Sequence, residues 1–333
     1  MTVLVLLLIA CESRETKIQR FLLQSNEMVR KRNTEQAERF LREAIKLDSC
    51  FADAWNNLGT LHFTKRNYVD AMTYYDHALS CRDNFIDARF NRANNAYELK
   101  EYYRALKDLD VVKREWNDSS KVYFLEGLVY TKLRKFDDAL TSFRSAARIE
   151  PRNAEILVNL GTVHYYNQDL DSARYFLNEA MKSDPNEGNA YNAMAMVEVT
   201  SGDLGKASEL LTRALNLHPG DAYFINNRGY ISLLKGETEK ALEDINRSIT
   251  SDPYNGWAYR NKGIYYLMTN NNEEAIRLLK RAETADPFIE KLYYYLGEAY
   301  LKSGQRKVAC ENFAKALERK ELTEAEFEKK CKS

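Results

Sequence analysis

Apolar and small residues recur along the chain at a fixed spacing of 34 residues. All five prolines obey it, at Pro151, Pro185, Pro219, Pro253 and Pro287, a regularity that marks an internal repeat. Carried outward without insertion or deletion, the register places alanine at Ala37, Ala71, Ala105, Ala139, Ala173, Ala207, Ala241, Ala275 and Ala309. Twelve residues before each stands a small residue: Ser25, Gly59, Ala93, Gly127, Gly161, Ala195, Gly229, Gly263 and Gly297. Seven after it comes another nearly invariant small site, at Ala44, Ala78, Val112, Ala146, Ala180, Ala214, Ser248, Ala282 and Ala316, with a bulky residue such as Tyr75, Phe143, Leu211 or Phe313 between the two. The pattern predicts two antiparallel helices per unit that approach where both lack bulk, with large side chains filling the space on either side. Pairs such as Arg66-Asn67, Gly202-Asp203, Gly236-Glu237, Asn270-Asn271 and Gly304-Gln305 supply the turn between them, and the prolines stop the second helix.

In this register residues 1–17 form a leader and tether, and the units run 18–51, 52–85, 86–119, 120–153, 154–187, 188–221, 222–255, 256–289 and 290–323. Thr323-Glu324-Ala325-Glu326 then reads as a capping box opening a short helix over 324–333, with Phe327 facing back to seal the last apolar face. Trp55-x2-Leu58-Gly59-x2-His62 with Ala71-x3-Tyr75, and Tyr293-x2-Leu296-Gly297-x2-Tyr300 with Ala309-x3-Phe313, resemble the tetratricopeptide repeat motif across residues 18–323. The resemblance implies an all-α, right-handed α-α superhelix, a solenoid of nine helix-turn-helix repeats plus the capping helix. Repeats one to three depart from it, with Ser49, Asp83 and Asn117 in place of the proline and Arg89 in place of an aromatic. Those repeats are expected to splay or fray more.

Charge and chemistry narrow the function by exclusion. The chain has 49 basic and 49 acidic residues, so it lacks the field that gathers phosphates, and no nucleic-acid partner is expected. Five prolines, 13 glycines and 22 tyrosines suit amphipathic helices with bulky faces. His62 and His164 fall where other repeats carry Tyr130, Tyr266 and Tyr300, which reads as packing, and His77 and His218 have no His or Cys at ligand spacing. No phosphate loop, nucleophile elbow or Ser-His-Asp set is present. The chain is read as a non-enzyme with no cofactor, no metal and no small-molecule substrate.

Met1 to Ala10 are apolar but for Thr2, far short of the ~20 residues that span a bilayer, and match a secretory h-region. Leu8-Ile9-Ala10-Cys11 resembles the lipobox of bacterial lipoproteins, which implies export, a lipid on Cys11 and the membrane as a partner. Glu12 is not the Asp that retains such proteins at the inner membrane, so the resemblance favours the outer membrane. The competing reading is a buried N-terminal helix or mistranslated leader on a cytoplasmic protein. Of the other cysteines, Cys50 and Cys81 stand at non-equivalent points of neighbouring repeats and are expected beyond the ~7 Å that a bridge allows. Cys310 and Cys331 are better placed, because the capping helix should run back along the ninth repeat's second helix. Two free thiols are nevertheless the main expectation.

In the resembled family the first helices line a concave wall, with repeat positions 2, 5, 6, 9, 12 and 13 facing a groove. An amide series lies there: Asn57, Asn91, Asn159, Asn227 and Asn261 at position 6, with Asn56, Asn192 and Asn226 one residue earlier. Such amides can hold an extended peptide backbone, although Asn is also simply common at position 6. Apolar residues gather toward the C-terminal half, at Tyr223, Tyr230, Leu233, Leu234, Trp257, Ile264, Leu267, Met268, Tyr294 and Tyr295. Position 13, usually Lys in the family, reads Tyr166, Thr200, Leu234 and Met268 in repeats five to eight. This is either a protein contact or mutual packing, and Trp257, Tyr230 and Arg260 are the hot-spot candidates. Ile264 and Tyr295 stand where a carboxylate clamp needs Asn, which disfavours chaperone tails. The leading expectation is a membrane-anchored scaffold that binds a protein segment and assists an envelope complex, similar to repeat lipoproteins that serve in pilus assembly, barrel assembly or cell-wall enzyme recruitment. The alternatives are a self-associating structural protein and a regulatory subunit of an envelope hydrolase or protease.

Overall fold

The computed structural model describes residues 13–332, and every helix or strand among them is an α-helix. Cys11 and its lipobox-like surroundings lie outside the described residues. The chain divides into two compact units, Met1–Pro151 and Arg152–Ser333. The first holds α1 (Arg14–Arg30), α2 (Thr34–Leu47), α3 (Ala52–Thr64), α4 (Tyr68–Cys81), α5 (Ile86–Glu98), α6 (Tyr102–Glu115), α7 (Ser120–Lys132) and α8 (Phe136–Ile149). The second holds α9 (Ala154–Tyr166), α10 (Leu170–Ser183), α11 (Gly188–Thr200), α12 (Leu204–Leu217), α13 (Ala222–Leu234), α14 (Thr238–Ser251), α15 (Gly256–Met268), α16 (Asn272–Ala285), α17 (Leu292–Lys302), α18 (Arg306–Glu318) and α19 (Glu324–Cys331). Helices pack in successive pairs, each pair against the next within its unit: a solenoid of nine helix hairpins and a final capping helix.

The turn inside each hairpin follows from backbone bonding. Arg32, Arg66, Lys100, Arg134, Gln168, Gly202, Gly236, Asn270 and Gly304 all adopt positive φ at the same repeat position. In repeat two Asn67 N–H reaches back to the His62 carbonyl at 2.9 Å, which satisfies an end group of α3. Short polar side chains then open the second helix: Asn33, Asp169, Asp203 and Asn271 each accept from a backbone N–H of the first turn. The expected fraying of the proline-free repeats is not found. α2, α4 and α6 run 14 residues, as α8 and α10 do. The stop comes from extended backbone at the end of the helix, with φ −138° at Asp48 and −144° at Arg82 against −135° at Asp184 before Pro185. Proline enforces a conformation that the first two repeats adopt without it, whereas the third ends at Trp116 with φ −107° and ψ 53°. Arg89, in the missing aromatic's place, ties to Asp83 at 2.8 Å and to the buried Asp108 at 3.7 Å.

The alanine series and the small site seven residues on are fully buried in all nine repeats. The seam between paired helices differs in one respect from small meeting small. The glycine receives the bulky residue: a Cβ at Gly59 would lie 2.5 Å from Tyr75 Cε1, and one at Gly297 the same distance from Phe313 Cε1. The alanine contributes backbone, its carbonyl lying 3.1 Å from such a Cβ in the Gly229–Ala241 pair. A knob of one helix thus fills a hole of the other.

Both cysteine expectations are corrected. Cys50 and Cys81 form a disulfide with Cα atoms 5.2 Å apart, and Cys310 and Cys331 form another at 5.6 Å. The non-equivalence of Cys50 and Cys81 is what brings them together, because stacking sets the turn after one repeat's second helix beside the end of the next repeat's second helix. The same offset recurs where the Ser183 hydroxyl donates to the Arg152 carbonyl. Cys331 reaches Cys310 because α19 folds back on α18. Its capping box is formed at Thr323 and Glu326, Phe327 packs on the last apolar cluster, and Lys330 bonds Glu298 of α17 at 2.5 Å.

Candidate functional site

The amide series is engaged with itself. In the second unit Asn227 Nδ2 donates to Asn192 Oδ1 at 2.8 Å, Asn226 Nδ2 to Asn227 Oδ1 at 3.4 Å, and Asn261 Nδ2 to Asn226 Oδ1 at 2.9 Å. Arg260 heads the ladder, with Nε and Nη2 donating to Asn261 Oδ1 at 2.9 and 2.7 Å while Nη1 donates to the Glu290 carbonyl at 2.9 Å. Arg260 is 2% exposed, and its guanidinium lies over the rings of Tyr230 (4.5 Å) and Trp257 (5.0 Å). An arginine can only donate, which fixes the sense of every amide below it. The first unit repeats the ladder: Asn57 Nδ2 to Asn26 Oδ1, Asn56 Nδ2 to Asn57 Oδ1, both 3.4 Å, and Asn91 Nδ2 to Asn56 Oδ1 at 2.9 Å. Asn159 stands apart, its amide donating to the Glu155 carbonyl at 2.9 Å.

Beside the second ladder lies a cavity of about 560 Å³. Its walls come from α9, α11, α13 and α15, and one end is made by Glu290 and Lys291. These two residues are available because the ninth repeat's first helix starts late. Lys291 sits at φ 56°, and α17 begins at Leu292, whereas α11, α13 and α15 begin at the first residue of their repeats. Glu290 crosses the concave side to α9, where its Oε2 accepts from the Tyr165 hydroxyl at 3.1 Å. Burial and the nearby Glu290 carboxylate push the Tyr165 phenol well above its ordinary range. Glu187 and Asp221 cap α11 and α13 and accept from backbone N–H groups there. Glu155 has no such partner. Burial, with Glu187 nearby, raises its carboxyl above 4.5.

Of the residues singled out in the sequence, Asn159, Asn192, Asn227, Tyr223, Tyr230, Leu234, Trp257 and Arg260 line the cavity. Tyr223 is 49% exposed and Leu234 42%. Asn226, Asn261, Ile264, Leu233 and Leu267 are instead buried in the wall. Ile264 packs with Tyr230, Leu233 and Tyr295, so that part of the apolar set is mutual packing. Met268 is exposed but does not line the cavity. Tyr294 turns to the capping end, with its ring 6.1 Å from Phe313 and Lys330 over it at 5.4 Å. Asn57 and Asn91 belong to the other unit. Sequence reasoning missed the carboxylates Glu155, Glu187, Asp221 and Glu290. Three stand at or just before helix starts, where acids read as caps, and Glu290 enters only through the late start of α17. His62 and His164 are buried, the latter 3.0 Å from Asp169 and stacked on Phe176. Among the described residues no three His, Cys, Asp or Glu side chains gather as metal ligands.

Models of the tetratricopeptide repeat match residues 22–84, 192–256 and 260–322, and another model of the same repeat matches 130–197. The chain belongs to the tetratricopeptide repeat family. Among tetratricopeptide proteins, it is 28% identical over 141 residues to a TPR repeat-containing protein of Methanocaldococcus jannaschii, covering 39% of this chain and 25% of that one. The chain spans a quarter or less of the length of the curated relatives it matches. Among solved structures, a chain of the APC/C hetero-tetramer Cut9–Hcn1 superposes with a TM-score of 0.63 at 14% identity, covering 96% of this chain and 63% of that one. PilF of Pseudomonas aeruginosa gives 0.55 at 20% identity, covering 63% of this chain and 96% of that one. At these identities the likeness is one of fold.

Proposed function

We propose that this tetratricopeptide repeat protein is an interaction scaffold whose second unit holds a segment of another protein in the concave cavity. The observation that carries this reading is the cavity itself, walled by Tyr223, Leu234 and Trp257 with apolar area left exposed. The Glu290–Tyr165 contact bounds it, which suits a short segment or loop better than a strand running along every repeat. A photo-crosslinking residue at position 223, in cells that make the protein, should capture a partner identifiable by mass spectrometry. Tyr223→Glu with Leu234→Asp should lose that partner in pull-downs. Identical partner sets for the wild type and the double variant would overturn the reading. Capture of a second copy of the chain would select the self-associating alternative, and capture of a hydrolase or protease the regulatory one.

The same proposal takes the protein to be exported and anchored through a lipid on Cys11. Two paired disulfides support it, since such bridges persist in oxidising compartments. All four cysteines of the described residues are taken up in them. No helix of the described residues is long and apolar enough to cross a membrane. Radiolabelled fatty acid should enter the wild type and not Cys11→Ala; equal labelling would remove the anchor from the proposal.

A further inference from the structure

We infer that the cavity of the second unit takes a positively charged side chain, an Arg or Lys carried on the partner segment, with its aliphatic stem against the aromatic wall. The inference rests on the protein-binding reading above and gives it a chemistry. Four carboxylates line the space, Glu155, Glu187, Asp221 and Glu290, against two cations, Arg260 and Lys291. Arg260 offers little to a guest, because its donors are directed at Asn261 and the Glu290 carbonyl and its faces are covered by Tyr230 and Trp257. An acidic side chain or C-terminal carboxylate would therefore meet like charge with Lys291 as its main counterion. A basic side chain would meet opposite charge, at Glu187, Asp221 and Glu290 on half-buried carboxylates and at Glu155 on an exposed one. Tyr223 and Trp257 add faces on which a guanidinium or a lysine stem packs favourably.

Glu187 and Asp221 have a second role as helix caps, and caps alone do not make a site. Glu155 separates the two readings. Its carboxyl caps nothing, and no hydrogen bond or ion pair among the described residues engages it, yet it lines the cavity together with Glu187. An unpaired carboxylate in the lining, beside three others, is complementary to a cation brought by the ligand.

The test uses the full chain, immobilised, and a positional-scanning library of hexapeptides acetylated and amidated at their ends, so that only side chains carry charge. Arg or Lys should be enriched at least fivefold over Asp and Glu at one or two positions. The enrichment should fall severalfold in the Glu155→Gln/Glu187→Gln variant, whose amides still provide a capping oxygen, and on raising salt from 0.1 to about 0.5 M. Lys291→Glu, at an exposed site, should increase it. Enrichment of acidic residues, or of apolar residues insensitive to these changes, would overturn the cationic occupant while leaving a peptide-binding cavity. Absence of any enrichment would remove both, and binding of free spermidine without peptide preference would reassign the cavity to a small cation.

Discussion

Asn56, Asn57 and Asn91 in the first unit and Asn226, Asn227 and Asn261 in the second stand at the same points of the repeat and make the same bonds. The residue before the last amide differs: Phe90 in one unit, Arg260 in the other. Phe90 packs on Trp116, ring centroids 5.6 Å apart, and leaves the ladder without a head. Arg260 heads it with a buried charge, and burial of the amides deepens in step. Asn226 and Asn261 are each 1% exposed, Asn56 is 8%, and Asn91 is only partly buried. A buried guanidinium is tolerated only when its donors are met, and Asn261 and the Glu290 carbonyl meet them. The amides bond to one another in both units, and in the second Arg260 closes the row as a buried strut of the wall beside the cavity.

Removing the head should break the comparison most. Arg260→Met leaves Asn261 Oδ1 and the Glu290 carbonyl without their donors, and should cost about 3 kcal/mol, since each buried group left unsatisfied costs roughly 1–3 kcal/mol. Asn91→Ala in the first ladder, where no charge is involved, should cost about 1 kcal/mol. Urea denaturation of the two variants measures both. Equal losses would mean that the two ladders do the same work and that Arg260 heads nothing.

A second change should affect both units alike. Gly59→Ala in the first unit and Gly297→Ala in the second each place a methyl group 2.5 Å from an aromatic Cε1 atom, of Tyr75 and of Phe313. Overpacking of this kind costs about 1–3 kcal/mol. Similar falls in melting temperature would show that the seam is shared while the concave faces are not, and unchanged stability in either would refute the knob-and-hole contact.

This division tracks what could be read in advance. The seam was legible because it depends on residue size at a strict period, and size survives translation from sequence to structure: all nine alanines are buried where the register puts them. The groove was half legible. Position alone placed Tyr223, Leu234 and Trp257 on the inner side, but whether an amide there faces a guest or its neighbour depends on the side chain one repeat away. No period encodes that choice. Glu290 was illegible for another reason: its role needs the left-handed backbone at Lys291, a single local departure from a pattern whose strength hid it. The Cys50–Cys81 disulfide was misjudged because its geometry lies between repeats, at an offset that comparison of equivalent positions does not reveal.

The smallest contrast concerns pH, and its sign separates a carboxylate of the second unit from one of the first. Burial raises the Glu321 carboxyl above 4.5, against the opposing pull of the Lys291 N–H that Oε1 accepts at 2.9 Å. Its other oxygen is buried without a partner. Between the unfolded value and the raised folded one, the folded chain holds a proton that the unfolded chain has released, so Glu321 lowers stability as pH rises through that window. Glu38 in the first unit does the reverse. Burial alone would raise it, but hydrogen bonds from Arg42 and Lys65 hold it below 4.5. Its contribution is present above the unfolded value and is lost as pH falls through the folded one. Scanning calorimetry of the wild type and Glu321→Gln at pH 5 and pH 7 isolates the first effect. The variant should gain on the wild type between pH 5 and pH 7, because only the wild type acquires a buried charge over that interval. A difference in melting temperature that stays constant across the two conditions would mean that Glu321 ionises as freely in the folded chain as in the unfolded one.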